Sequence, residues 1–388
     1  MNPSGSDPLA ATAPQPLTPA RLREGICLVV DFPELGTPLL FRNPARLLEA
    51  RRPEQVLPVI REAEAAARAG LWVGGFLAYE AAAAFDLPVC APPAGTDPPL
   101  AWFALFAAPP VAALYPASPS PAPFLTPPLP GISRERFEDD LAVIAERIRA
   151  GESYQVNYTL EARLPEVADP AELFLLLQQR HRFPRAMWIQ GEGWCVASFS
   201  PEGFLERRGA TLVTAPIKGT RPRSGEPSRD RRLARELELS EKDQAEHIMI
   251  VDMARNDLGR ICCPGSVGVE SLAARRSFST VHHLETRVTG KLRPGVDLAE
   301  ILAAMFPPAS ITGAPKRRTM EIIRALEQRP RGVYTGVMGL LTPDDTCWLN
   351  VAIRTVVQSG QEKCRIGLGG GVVADSLPKA EWNEVADK

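Results

Sequence analysis

The sequence predicts an α+β fold built on large, mainly antiparallel β-sheets. Three observations point there. Strand-like stretches come in clusters joined by hairpin-like connections, helical periodicity is confined to a few capped segments, and strands and helices do not alternate as a parallel sheet requires. With 388 residues, 45% of them apolar and 23% charged, the chain can bury one large core or two ordinary ones.

Residues 1–20 are rich in Pro, Ser and Ala and lack a basic start followed by an apolar core. They read as a disordered leader, not a signal peptide. Residues 21–108 form an N-terminal segment of apolar runs with Gly74-Gly75 and Tyr79-Glu80. The proline-dense stretch 109–131 can form neither helix nor central strand and reads as an extended connector to the segment 132–388.

Within that second segment, a helix starts at Ser133, a good N-cap. It carries Phe137, Leu141, Ile144 and Ile148 at helical spacing and stops at Gly151. Residues 154–160 alternate: Tyr154, Val156, Tyr158 and Leu160 face one way, Gln155, Asn157 and Thr159 the other. One face packs and the other can line a polar cavity. A second helix begins at Ser240, with Asp243 three residues on, and runs to Gly259; a third covers 315–327. Strands are expected at 332–341, 348–357 and 364–373.

Several function classes drop out. A net charge of −2 offers no basic stripe for nucleic acid and no polybasic membrane patch. No apolar run approaches the roughly 20 residues that span a bilayer. The seven cysteines are scattered without a Cys-x-x-Cys pair, which argues for reduced thiols in a cytoplasmic protein, not a disulfide framework or a structural zinc site.

The residues that could carry chemistry are few. Lys218, in Pro216-Ile217-Lys218-Gly219-Thr220, follows an apolar strand and sits between a rigid proline and a glycine. Held in a cleft, such an amine is desolvated and becomes a nucleophile. Glu246 lies mid-helix beside His247, and Glu381 and Glu384 share a face if helical. Carboxylates from two helices could hold one hard cation, magnesium in preference to zinc; a solvated surface pairing reads equally well. Arg354 lies in an alternating strand with Asn350 and Ala352, where it needs either a buried salt bridge or a ligand carboxylate. Gly367, Gly369, Gly370 and Gly371 suggest backbone amides approaching a ligand, or simply a turn. His283 is one of four histidines, and its neighbour His282 faces the other way in a strand.

Taken in order, these segments resemble the chorismate-utilising enzymes over residues 132–388, with the N-terminal segment resembling their component I proteins more loosely. The matching runs include Gln155-Val156-Asn157, Ser200-Pro201-Glu202, the Lys218 pentapeptide, Glu246-His247, Arg255-Asn256-Asp257-Leu258-Gly259-Arg260, His283-Leu284 and Thr312-Gly313-Ala314-Pro315-Lys316. Arg331 to Gly336, Asn350 to Thr355, and Val373 to Ser376 with Glu381 and Glu384 complete them. The resemblance implies a sandwich of two sheets with helices outside and a chorismate-binding catalytic domain at 132–388. Water-using members carry a lysine base where this chain has Gln155, which cannot deprotonate water; ammonia needs no base. Lys218 resembles the aminodeoxychorismate branch, where the lysine adds covalently to the ring, and the anthranilate branch carries alanine there.

The resemblance further implies Glu202 as the acid for the departing 4-hydroxyl and His283 as a supporting catalytic group. Mg²⁺ would be held by Glu246 and Glu384 with Glu381 nearby. Gln155, Thr312, Tyr334, Arg354, Gly367, Gly369, Gly370 and Lys388 would bind chorismate. The implied product is 4-amino-4-deoxychorismate, the precursor of p-aminobenzoate for folate, made from chorismate and ammonia. The ammonia would come from a separate glutamine amidotransferase subunit, since Cys195 lacks the glycine-flanked turn of a glutaminase nucleophile. Ala309 departs from a glycine common in the family. The rival readings are an anthranilate synthase component I and a non-catalytic relative that binds chorismate or an amino acid.

Overall fold

A computed structural model describes residues 13–117, 127–167, 169–279 and 281–387. Lys388 lies outside them, as do residues 1–12 of the expected leader and 118–126 of the expected connector. The described residues form an eleven-stranded and a ten-stranded sheet, antiparallel except where Gln15–Pro16 pairs with Val111–Leu114. The α+β, mainly antiparallel expectation holds. Residues 13–20 add that short strand and bury Leu17.

The sheets face each other across one core. Leu28, Val30, Met187 and Trp194 of the first meet Phe76, Trp102, Met338 and Trp348 of the second. The rings of Phe76 and Trp102 both meet Trp194 edge-on, at 5.6 and 5.3 Å. Helices cover the outer faces. Pro53–Arg68 and Leu298–Met305 pack on the second sheet; Arg134–Arg149, Pro170–His181 and Lys316–Glu327 pack on the first. The two sequence segments share both sheets: Cys27–Asp31 pairs with Arg185–Gln190, and Trp72–Leu77 with Val337–Leu341. No helix among the described residues is long and apolar enough to cross a membrane.

The capped helices match expectation. Ser133 accepts from Arg136 N–H ahead of Arg134–Arg149, and Ser240 from Asp243 N–H ahead of Glu241–Gly259. Two strand expectations need correction. Only Val337–Leu341 of 332–341 is strand, because residues 331–335 turn around a buried charge cluster. The expected strand 348–357 is two strands, Thr346–Val351 and Thr355–Ser359, broken where Arg354 takes a left-handed φ of 52°. Arg354 therefore sits at a kink and does not alternate with Asn350 and Ala352.

The cluster behind that turn is dry. Arg331 and Glu327 pair at 2.7 Å, each side chain 1% exposed. Arg331 also lies over the Tyr79 ring and donates to the Asn157 carbonyl. Glu80 accepts the N–H groups of Arg331 and Gly332, which pins the turn that leads to Tyr334. Burial pushes the Glu80 carboxyl up to about 7, against the backbone donors that pull it down.

Glu80→Ala strands two buried donors and is expected to lower the unfolding free energy by about 2–4 kcal/mol in urea titrations, Glu80→Gln by less. A carboxyl raised from 4.5 to about 7 in the folded state binds the extra proton between those values, so it withdraws stability as pH rises across that window. Stability should therefore fall less steeply between pH 4.5 and 7 in Glu80→Gln than in the wild type.

Candidate active site

The site is built on one antiparallel ladder, Gln155–Leu164 against Cys364–Val372. Val156, Tyr158 and Leu160 point into the apolar core under the helices, as the alternation requires, whereas Tyr154 is exposed. On the opposite face, Gln155 is fully buried, and neither its side-chain oxygen nor its nitrogen has a partner among the described residues. A buried, unsatisfied amide costs about 1–3 kcal/mol per lost bond, so it marks a place where a ligand or a water completes the pairing.

The glycine run makes room for side chains from other strands. A Cβ at Gly367 would lie 2.0 Å from the Tyr334 ring, and one at Gly371 would lie 2.6 Å from Gln155 Nε2 and 3.2 Å from Lys218 Nζ. Gly367, Gly369 and Gly371 share a strand face, so this strand presents a floor without side chains. Tyr334, Gln155 and Lys218 occupy the space thus freed. Gly370 lies between them, opposite Tyr158 in the ladder.

Lys218 comes from Ile217–Pro222, whose pairing with Val281–Lys291 is interrupted by a bulge between Lys218 and Thr220. Gly219 takes φ 67° there and approaches Leu237 and Asp243 too closely for a side chain. His283 braces this bulge: Nδ1 lies 2.8 Å from the Gly219 carbonyl and 3.1 Å from Thr220 Oγ1. Donation to that carbonyl leaves Nε2 as the acceptor of the neutral ring. The Lys218 amine donates to the Ser310 carbonyl at 3.5 Å.

Glu202 follows Trp194–Ser200 and is held through its backbone by Ser200 and Val351. Burial pushes its carboxyl up to about 7, opposed by the nearby Ser310 hydroxyl and Lys218 amine. The Ser310 hydroxyl lies beside it yet outside hydrogen-bonding geometry with any described group. Thr312 is buried, donates to the Pro308 carbonyl and accepts Asn157 N–H through its own carbonyl, so it fixes the loop under Gln155.

Arg354 makes no side-chain hydrogen bond or ion pair among the described residues, and desolvation lowers its pKa. Its left-handed backbone stores strain next to Tyr334-Thr335, where Thr335 also has a positive φ of 62°. Tyr334 is buried, its hydroxyl pushed up to about 12 by desolvation, and stays a neutral donor. The salt-bridge alternative for Arg354 is not what the described residues make.

The acidic residues converge in part. Glu246 projects from Glu241–Gly259, and His247 ties that helix to the sheet through Thr286 at 2.6 Å. Burial raises the Glu246 carboxyl; the Lys218 charge opposes this and Glu381 adds to it, so Glu246 lies within electrostatic reach of both. Glu381, on Pro378–Asp387, accepts from Ser376 at 2.7 Å, and Glu384 is exposed one turn on. Among the described residues, no three His, Cys, Asp or Glu side chains gather closely enough to enclose an ion. The donor chemistry still fits magnesium, which takes one or two carboxylates, keeps waters and accepts substrate oxygens.

Sequence reasoning singled out the run that holds Ser310 without giving that residue a role, and it missed the Asp257–Lys316 ion pair, 3.2 Å apart behind Glu202. A signal existed for the pair: a lysine in the first turn of a helix opposes the helix dipole and needs an acid nearby.

Residues 111–388 match the family model of chorismate binding enzymes. Anthranilate synthase component 1 of Haloarcula marismortui is 42% identical over 256 residues, 66% of this chain and 52% of that protein. Aminodeoxychorismate synthase component 1 of Escherichia coli is 38% identical over 258 residues, 66% of this chain and 56% of that protein. The chain thus spans about half the length of the curated relatives it matches. The solved anthranilate synthase component I from Streptococcus pneumoniae has a TM-score of 0.72 at 25% identity, covering 93% of this chain and 88% of that one. The menaquinone-specific isochorismate synthase of Escherichia coli shares the fold, with a TM-score of 0.72 at 18% identity over 96% of this chain and 89% of that one.

Because Arg354 is desolvated and unpaired, Arg354→Gln should leave the melting temperature unchanged or raise it. The same substitution should weaken binding of a dicarboxylate substrate at least about tenfold, read by calorimetric titration.

Proposed function

Given that the chain belongs to the family of chorismate binding enzymes, we propose that it aminates chorismate to 4-amino-4-deoxychorismate, as an aminodeoxychorismate synthase component I. One observation carries the choice within the family: an amine, Lys218, stands over a side-chain-free strand face beside the unsatisfied amide of Gln155. An amide cannot act as the base for water, and the amine supplies a covalent nucleophile.

Arg354 and Tyr334 would bind the enolpyruvyl carboxylate, with the guanidinium gaining its missing partner. Gln155, Thr312 and the strand from Gly367 to Gly370 would frame the ring, with Lys388 as a further contact. Glu246, Glu381 and Glu384 would hold magnesium, which supplies positive charge to orient and polarise the ring carboxylate. The neutral Lys218 amine then forms a bond to carbon 2 as the carbon 4–oxygen bond breaks, and Glu202 gives its proton to the departing hydroxyl. Ammonia bonds to carbon 4, the carbon 2–nitrogen bond breaks, and Lys218 leaves as a neutral amine. The new ammonium returns one proton to Glu202, so chorismate plus ammonia becomes product plus water. His283 supports Lys218 through the bulge that carries it.

Ammonia would come from a glutamine amidotransferase subunit. Cys195 is buried and its thiol is pushed up to about 12, so it is no glutaminase nucleophile. We place the protein in the cytoplasm, where its free cysteines stay reduced. Relatives named anthranilate synthase are as similar as those named aminodeoxychorismate synthase, which keeps anthranilate formation as the second reading.

The test is mass spectrometry of products from chorismate, magnesium and ammonium salt. Aminodeoxychorismate is expected, with p-aminobenzoate only after a lyase is added; anthranilate with pyruvate would move the protein to the second reading. Lys218→Ala should abolish or redirect amination, and full activity in that variant would end the covalent role. A carboxyl near 7 must be protonated to act as the acid, so the rate at saturating free ammonia should fall as pH rises through about 7. Glu202→Gln should flatten that limb and lower kcat by about 100-fold or more.

A further inference from the structure

The proposed reaction exchanges two small neutral molecules at one ring carbon, and Glu202 marks where that carbon lies. Glu202 is only 5% exposed, so water formed at its carboxyl leaves through the space beside it. Directly beside it lies a cavity lined by Glu202, Ser310, Ile250, Ala254, Met305 and Val351. It has room for about two water-sized molecules. Its walls are chiefly apolar, and they come from Glu241–Gly259, the end of Leu298–Met305 with the loop after it, and the ends of interior strands of the second sheet.

Two polar features decide what such a space accepts. The buried Ser310 hydroxyl lies against the Glu202 carboxyl and favours its charged form, and the carbonyl of the same residue receives the Lys218 amine. A small donor or acceptor in the cavity would meet that hydroxyl next to both reacting groups. The other acid of the lining, Asp257, is already neutralised by Lys316, which also donates to the Met305 carbonyl. The cavity therefore offers no uncompensated carboxylate beyond Glu202, and an ammonium ion would lose hydration without a counter-charge. Neutral ammonia and water would enter at far lower cost.

We propose that this cavity is the chamber through which neutral ammonia reaches, and water leaves, the ring carbon beside Glu202. The inference rests on the amination reading above and adds the position of its second substrate.

Ala254→Leu fills the cavity from its helix wall and leaves Lys218 and the carboxylate-binding groups unaltered. Initial rates are measured against free ammonia, set by ammonium chloride and pH, and separately against chorismate. The KM for ammonia should rise at least about tenfold, while the KM for chorismate changes by less than about twofold. Met305→Ala enlarges the cavity and should lower the ammonia KM and increase any product of water addition. An unchanged ammonia KM in both folded variants overturns the proposal, as does an unchanged value in Met305→Ala if Ala254→Leu does not fold. Product masses from the wild type report the amination reading independently: anthranilate there would remove the premise, whatever the variants do to KM.

Discussion

Nine consecutive residue pairs join Gln155–Leu164 to Cys364–Val372, and the register of that ladder governs the site. Side chains alternate along a strand, so a one-residue slip would turn Gln155 into the helix-covered core and Val156 toward Lys218. The ladder is locked from outside. Glu327 accepts Thr159 N–H at 2.9 Å, and Arg331 donates to the Asn157 carbonyl at 2.7 Å. Gly313 approaches so closely that a Cβ would meet the Gln155 carbonyl at 1.9 Å. A helix, a buried ion pair and a glycine thus fix the same short stretch, and the glycine face of its partner strand leaves the opening where the reacting side chains meet.

Buried charge is treated in two opposite ways. Arg331 and Glu327 satisfy each other and several backbone groups, so their desolvation is repaid and they act as structure. Among the described residues, Arg354 and Gln155 have no side-chain partner, and burial outweighs the partners of Glu202 and Glu246 and raises both carboxyls. The contrast runs across only a few residues: Arg331 anchors the turn whose other end presents Tyr334. Stability spent on one side of this turn holds the unsatisfied groups of the other side in place, the usual relation between a rigid scaffold and a preorganised site.

Much of this could be read from the chain. The caps at Ser133 and Ser240, the alternation after Tyr154, and the prolines and glycines around Lys218 are local signals, and each helix or strand formed where its signal stood. Ordered motifs placed Lys218, Glu202, Gln155 and His283 in one neighbourhood, because identical spacing of many short runs is a far stronger constraint than any single run. Arg354 and the glycines were recognised as special, but the place of Arg354 at a kink and the side chains packed on the glycines were not legible locally. At the kink Phe199 N–H bonds the Arg354 carbonyl and Thr335 N–H bonds the Ala352 carbonyl, and the glycines are required by Tyr334, Gln155 and Lys218 on other segments.

The sequence by itself determined the fold class, the boundaries of the three helices it predicted and the chemical inventory, since these follow from periodicity, capping and residue type. Only the tertiary structure decided which charges are satisfied. Arg331 and Arg354 look alike in the chain, yet one finds Glu327 and the other finds no partner among the described residues. The cavity beside Glu202 and the Asp257–Lys316 pair behind it likewise join residues more than fifty positions apart. Pairing energy depends on distance and burial, and those quantities do not exist until the sheets have closed over the core.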